Sequence, residues 1–284
     1  MDTNTVIAAL PKNFQPASEL KHHSSENSQV FEFVVLNERY VVKFATPNAG
    51  GIKSLRSDVA RMEQARRVGL PSPKVLHTNL CGPGLCFAIY PHLGKRLELH
   101  SQESVLEPGW SKQADIVEQV RLAIRSGKLK HLSHSESFQR WKNEVDFLER
   151  SLNDLNLWEK RFFEVFREMD NVVRHRDWIP GCTQPPSILF DGSDYWAIDW
   201  HPFVYLDPIK WVCDWTFYER LSDREKSDRH AAALLDGMGI QNDQETQNDM
   251  KRWLQFKALY DGAYLVRKAD KRKFFSQIVS AAFN

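Results

Sequence analysis

The apolar and polar positions of this 284-residue chain change rhythm near residue 94. Before that point, short runs of β-favouring residues dominate. Val30-Phe31-Glu32-Phe33-Val34-Val35-Leu36 predicts a strand, Asn37-Glu38 a turn, and Tyr40-Val41-Val42-Lys43-Phe44 the returning arm of a hairpin. From Ser54 to Val68 the apolar residues Leu55, Val59, Met62 and Ala65 fall at helical spacing, and Gly69 followed by Pro71 stops the helix. Val75-Leu76-His77 and Leu85-Cys86-Phe87-Ala88-Ile89-Tyr90 predict two more strands around the Gly82-Pro83-Gly84 turn. After Gly94 the spacing is helical. Ile116, Val117, Val120 and Ile124 mark one helix, and Phe138, Trp141, Val145 and Leu148 a second. Phe162, Phe163, Phe166 and Met169 mark a third, ending just before His175. Beyond Trp215, residues 231–238 and 250–283 are predicted helical. The aromatic stripes at this spacing predict core rather than chemistry. The expectation is an α+β protein, β-rich over residues 1–91 and mainly helical over 92–284.

Composition narrows the class. With 42% hydrophobic and 26% charged residues the chain reads as a soluble globular enzyme, long enough for one large domain or two lobes. A formal net charge of +1 offers no field for nucleic acid or a membrane surface, and neither is expected as a partner. No apolar run approaches the ~20 residues that span a bilayer. Val6 to Leu10 lacks a preceding basic region, so no signal peptide is expected and the cytoplasm is the expected compartment. Cys81, Cys86, Cys182 and Cys213 form no C-x-x-C, which favours free thiols over a zinc site. No feature specifies an oligomeric state.

The candidate chemistry lies between Val172 and Trp215. His175-Arg176-Asp177 and Trp196-Ala197-Ile198-Asp199-Trp200 each deliver an aspartate at the end or turn of a short β-like segment. A Mg·ATP phosphotransferase needs such a pair. One aspartate orients or deprotonates the attacking hydroxyl, and the other holds the metal that bridges the ATP phosphates. Upstream, Lys43 ends the Val41-Val42-Lys43 strand.

With Trp178-Ile179-Pro180-Gly181, Ser187-Ile188-Leu189-Phe190 and Ile198-Asp199-Trp200, the chain from about Val30 to Trp215 resembles the protein-kinase-like fold in its small-molecule branch, the aminoglycoside phosphotransferase/choline kinase family. The resemblance implies a two-lobed α+β fold, with lobes meeting near Tyr90-Pro91-His92 and ATP bound there through the hinge backbone. It implies that Lys43 reaches the α/β-phosphates and is held by an acid of the following helix. Asp58 and Glu63 compete for that role; they lie five residues apart, about 140° round a helix, so both cannot face Lys43, and counting back from Gly69-Leu70-Pro71 the family pattern puts the acid at Asp58. Asp177 is then the catalytic base, His175 orients its loop, and Asp199 is the metal ligand. ATP and Mg2+ are the expected cofactors and a small-molecule hydroxyl the expected acceptor. Asp207-Pro208 with Asp214-Trp215 looks like the family's D-P-x-x-D-L with three extra residues between the acids; that Asp214 would hydrogen-bond backbone around the catalytic loop.

Two departures stand out. Five positions after Asp177 the family has a metal-binding asparagine, and here Cys182 stands there, a poor donor for a hard cation. Counted back from Asp199 the same position is Ser187, because Cys182-Thr183-Gln184-Pro185-Pro186 looks like an insertion. Gln184 or Ser187 can replace the asparagine, or water can fill the gap. The phosphate loop is His22-His23-Ser24-Ser25-Glu26-Asn27-Ser28-Gln29, with no glycine; Asn27 is its candidate nucleotide contact. No G-x-x-x-x-G-K-[ST] occurs, which removes a P-loop enzyme. The room between Asp199 and Asp214 is too short for an activation segment, which disfavours a regulated protein kinase. Two rival readings are a kinase-fold binding module with impaired catalysis and a metal-dependent phosphohydrolase using His175, Asp177, Asp199 and His201.

Overall fold

The computed structural model describes residues 2–16, 20–24, 28–46, 49–80, 85–175, 178–269 and 272–283. Helix α1 (Thr3–Ala9) precedes strands β1 (Lys21–Ser24), β2 (Ser28–Val35) and β3 (Glu38–Ala45). Helix α2 (Ala49–Arg67) and strands β4 (His77–Asn79), β5 (Phe87–Pro91) and β6 (Lys95–Arg96) follow. Three helices come next: α3 (Glu103–Arg125), α4 (His134–Asp154) and α5 (Lys160–His175). Short strands β7 (Ile179–Cys182), β8 (Ser187–Phe190), β9 (Tyr195–Ile198) and β10 (Phe203–Leu206) lead to α6 (Pro208–Ser222), α7 (Arg224–Gly237), α8 (Gln244–Ala269) and α9 (Arg272–Phe283). The chain divides into two units. One is Met1–His100 with Pro186–His201, and the other is Ser101–Pro185 with Pro202–Asn284. The β-rich unit thus runs past residue 91 and takes in β8 and β9, because β6 pairs with β8. The α+β, two-lobed, kinase-like class expected from the sequence is the class found.

The first unit is a five-stranded antiparallel sheet in the order β1-β2-β3-β5-β4. Its register sorts side chains by period two. Phe31, Phe33, Val42, Phe44, Phe87 and Ile89 share one face, buried together with Val6 and Leu10 from the α1 segment. Val30, Glu32, Val41, Lys43, Ala88 and Tyr90 share the other face. The β2–β3 turn is Leu36-Asn37, one residue earlier than expected. Both residues have positive φ (50° and 68°), the backbone that a two-residue hairpin needs to match strand twist. Val75 falls outside the expected strand because its N–H goes to Glu63 Oε1 (3.5 Å). Helix α2 buries Leu55, Val59, Met62 and Ala65. It ends where Gly69 takes φ 88° and the Leu70 N–H returns to Ala65 O, satisfying an orphan carbonyl. A second small sheet has the order β6-β8-β9. Gly94 makes its approach possible, since a Cβ there would lie 1.9 Å from Phe190 O.

The second unit is helical apart from the β7–β10 ribbon. Its core joins Trp141, Leu148, Phe162, Phe217, Trp253 and Phe256, among others. Helix α5 does not stop before His175 as expected, because Val165, Met169 and Val173 extend one buried face at i, i+4, i+8. Helix α6 starts well before Trp215. The Asp207 side chain accepts from Ile209 N (2.8 Å) as N-cap, Pro208 occupies the first turn, and Ile209, Val212, Cys213 and Phe217 are buried. Cys182 and Cys213 are buried cysteines outside any disulfide, and Cys86 is a half-buried one. No described helix is long and apolar enough to cross a membrane.

The Asp214 carboxylate takes Lys210 Nζ (2.5 Å) and Lys257 Nζ (3.3 Å), while Arg176 and Asp177 of the loop whose backbone it was expected to bond lie outside the described residues. The three extra residues carry Asp214 about one helical turn further along α6. Lys257 also pairs with Asp261 (3.0 Å), which accepts from the Tyr218 hydroxyl (2.8 Å). Burial pushes the Asp214 carboxyl up, but the Lys210 and Lys257 ammonium groups outweigh it and hold the group below the usual carboxylate range. Removing one ammonium leaves a buried charge under-paired. Lys257→Met is therefore expected to destabilise the protein by about 3 kcal/mol in urea denaturation at neutral pH. A carboxyl with lowered folded pKa contributes stability above its unfolded value of about 3.9, and loses it as pH falls through the folded value. The gap between variant and wild type should accordingly shrink in acid.

Candidate active site

Three segments of the first unit deliver one cluster. Lys43 stands on β3, on the face opposite the apolar core, with a side chain 23% exposed. Its Nζ lies 2.9 Å from Asp58 Oδ2 on α2 and 3.4 Å from Asp199 Oδ1 just after β9. Burial pushes the Lys43 ammonium down, but attraction to Asp199 and Asp58 outweighs it, so the group stays charged with a raised pKa. Asp199 takes φ 58°, a left-handed conformation that aspartate tolerates better than most residues. The following Trp200 is 1% exposed and bonds back to Ala197 O (3.1 Å), which fixes the reversal. Arg96 on β6 approaches the second Asp199 oxygen at 3.9 Å. A two-residue strand carries no periodic signal, so sequence reasoning missed it.

Between the two candidate acids of α2 the geometry discriminates. Glu63 turns away, to Arg66 Nη2 (3.1 Å) and the Val75 N–H. Tyr90 shares the Lys43 face and is 8% exposed. Its buried hydroxyl has no hydrogen-bond partner among the described residues. Burial, with Asp58 and Asp199 nearby, pushes its pKa up, so it is a neutral donor. His92 donates its backbone N–H to Arg39 O (3.0 Å), and its ring lies 3.4 Å from Glu32. Burial and then Arg39 push the His92 pKa down against the pull of Glu32. Glu32 also meets His23 (3.1 Å), Arg39 (3.5 Å) and Lys21 (3.9 Å). An acid inside the apolar Val30–Val35 run was the available signal for this second cluster.

The candidates for the missing asparagine separate. Cys182 is 0% exposed in β7, and its carbonyl accepts from the Trp211 indole (2.5 Å). Gln184 is exposed on the turn that follows. Ser187 stands across the β8–β9 ladder from Ile198, the residue before Asp199, and alone of the three belongs to the unit that holds Asp199. Asn27 and Asp177 lie outside the described residues, and of His175 only the backbone closing α5 is described.

The arrangement can do one thing well chemically. A fixed cation flanked by two carboxylates, beside an unsatisfied buried hydroxyl, can receive phosphate oxygens and a hard metal ion together.

No protein-family model matches the chain, and no curated protein matches it in sequence. Solved structures do match in three dimensions. A spectinomycin phosphotransferase in complex with ADP and spectinomycin superposes with TM-score 0.61 at 10% identity, covering 100% of this chain and 98% of that one. The GDP complex of an aminoglycoside 2'-phosphotransferase variant gives TM-score 0.69 at 11% identity, with 99% and 94% covered. An aminoglycoside phosphotransferase in a ternary complex with AMP-PNP and hygromycin B gives 0.63 at 14% identity, with 99% and 97% covered. At these identities the likeness is one of architecture: the chain has the kinase-like fold of the aminoglycoside phosphotransferases.

Proposed function

We propose that the chain is an ATP-dependent phosphotransferase that moves the γ-phosphate to a hydroxyl of a small molecule. The observation that carries this reading is the Lys43 ammonium held between Asp58 (2.9 Å) and Asp199 (3.4 Å). Asp58 keeps the ammonium charged and aimed, so it can bind phosphate oxygens without first being ordered. Tyr90 adds a buried donor on the same face, which an oxygen of bound nucleotide would satisfy.

The donor set fits magnesium. Asp199 would supply a carboxylate, and Ser187, whose ladder partner is the residue before Asp199, would supply a hydroxyl. Among the described residues no group of three or more His, Cys, Asp or Glu side chains could hold a metal without further ligands. Phosphate oxygens and water would complete the shell, as this small hard cation prefers. When bound, it would neutralise charge on the β- and γ-phosphate oxygens. In the step itself the acceptor hydroxyl oxygen bonds to the γ-phosphorus while the bond to the β–γ bridging oxygen breaks, releasing ADP. Asp177 takes the hydroxyl proton. Lys43 and Arg96 offset the charge that gathers on the leaving diphosphate. Helix α6 begins nine residues after Asp199, which leaves little chain for the peptide platform of a protein kinase and supports a small acceptor of amino alcohol, sugar or antibiotic type.

Binding and turnover test the reading separately. Mg·ATP at a hundredfold excess over its Kd should stabilise the protein by about 2.7 kcal/mol, several degrees of melting temperature. A panel of hydroxyl compounds, run with ATP and with GTP, should then contain one that stimulates nucleoside diphosphate release. No thermal shift at millimolar Mg·ATP or Mg·GTP would overturn nucleotide binding. A shift without any acceptor-stimulated turnover would favour a kinase-fold binding module.

A further inference from the structure

Four residues after Asp207, where the D-P-x-x-D-L pattern has its second acid, this chain has Trp211. Its indole Nε1 donates to Cys182 O at 2.5 Å. The neighbouring Lys210 donates from Nζ to Thr183 O at 3.2 Å, and Asp214 fixes that ammonium at 2.5 Å. From the other side the Thr183 N–H donates to Pro202 O at 3.0 Å. The mode of attachment is therefore reversed. Donors on α6 grip the loop through its carbonyls, whereas a carboxylate would grip N–H groups.

The contact is built rather than incidental. Trp211 is 1% exposed, and the Lys210 side chain is 16% exposed. A Cβ at Gly181 would lie 3.2 Å from the Trp211 ring and 2.7 Å from Leu206 Cδ2, so β7 packs flush against the indole. A charge-assisted bond shielded from water is worth more than a neutral exposed one. The segment so gripped is the 182–186 insertion, which separates Asp177 from Ser187 in the chain.

We infer that Lys210 and Trp211 are positioning residues that hold the inserted loop by its carbonyl oxygens, in place of the acid that would hold it by its N–H groups. The catalytic consequence rests on the phosphotransferase reading; the attachment itself does not.

Thiol labelling under native conditions tests the attachment without any activity. Cys182 is buried while the loop is held, and Cys213, buried within α6, reports opening of the whole unit. In Lys210→Met, alkylation of Cys182 followed by peptide mass spectrometry should accelerate about tenfold or more, the size of a lost charge-assisted bond, with Cys213 little changed. Lys210→Arg, which restores a cationic donor, should return Cys182 towards the wild-type rate. Trp211→Phe keeps the ring and removes only the N–H; it should act in the same direction, and it decides the matter if Lys210→Met fails to fold. An equal rise at both cysteines, or none at Cys182, overturns the inference. In the acceptor assay, Lys210→Met should lower kcat about tenfold or more with KM for ATP unchanged, as expected for a misplaced loop, and Lys210→Arg should recover it. Wild-type protein with no acceptor-stimulated turnover would remove the phosphotransferase reading, and the labelling result would still stand or fall by itself.

Discussion

Asp177→Asn is expected to turn over acceptor about 10² to 10⁴ times more slowly than wild type, with nucleotide affinity unchanged. In the proposed mechanism Asp177 takes the proton of the acceptor hydroxyl and makes no contact with ATP. Asparagine keeps the volume and loses the basicity, so binding and chemistry should separate cleanly. Single-turnover kinetics with saturating Mg·ATP would read the chemical step, and a thermal shift titration the binding. Turnover at the wild-type rate would make Asp177 structural and remove the proposed base.

Asp199→Ala should abolish the magnesium-dependent part of nucleotide binding and lower turnover by about 10³. Two effects add here. The carboxylate that would hold the metal is gone, and Lys43 loses one of its two carboxylate neighbours, now 3.4 Å away. Asp58 at 2.9 Å remains, so the ammonium should stay charged and metal-free nucleotide should still bind weakly. Titrating nucleotide with and without magnesium, in wild type and variant, reads each effect. Equal magnesium dependence in both proteins would move the metal site away from Asp199. Ser187→Ala in the same titration asks whether the hydroxyl across the ladder completes the site; a smaller loss than that of Asp199→Ala is the expected order, since a neutral hydroxyl is a weaker ligand than a carboxylate.

Much of this protein was legible in the linear chain because its signals are local. Runs of β-favouring residues at Val30–Leu36 and Tyr40–Phe44 specify a hairpin, and Leu55, Val59, Met62 and Ala65 specify a helix face; both are found. Short motifs around Asp177 and Asp199 carried the fold class; Asp199 follows strand β9 as expected, whereas the residues that lead into the Asp177 motif close helix α5 instead of forming the expected β-like segment. Turn and helix ends were read less well. Leu36 at φ 50° is set by the twist of the two strands rather than by its own preference, and α5 runs on to His175 because Val173 finds a core to bury in.

What the sequence by itself determined, then, was the order of elements, the alternation that puts Lys43 on the sheet face away from the core, and the residue types able to bind phosphate. Only the tertiary structure decided partners. Asp58 and Glu63 both carry a carboxylate on one helix, and family spacing favoured the first; a 2.9 Å contact joins that one to Lys43, while the Val75 N–H and Arg66 engage the second. Arg96 reaches Asp199 across 103 positions of chain, and Lys210 and Trp211 reach the 182–186 loop from a different helix. Such contacts join groups that no local pattern links. Hydrogen bonds and ion pairs act over a few ångströms whatever the sequence separation, so packing decides which acid meets which base.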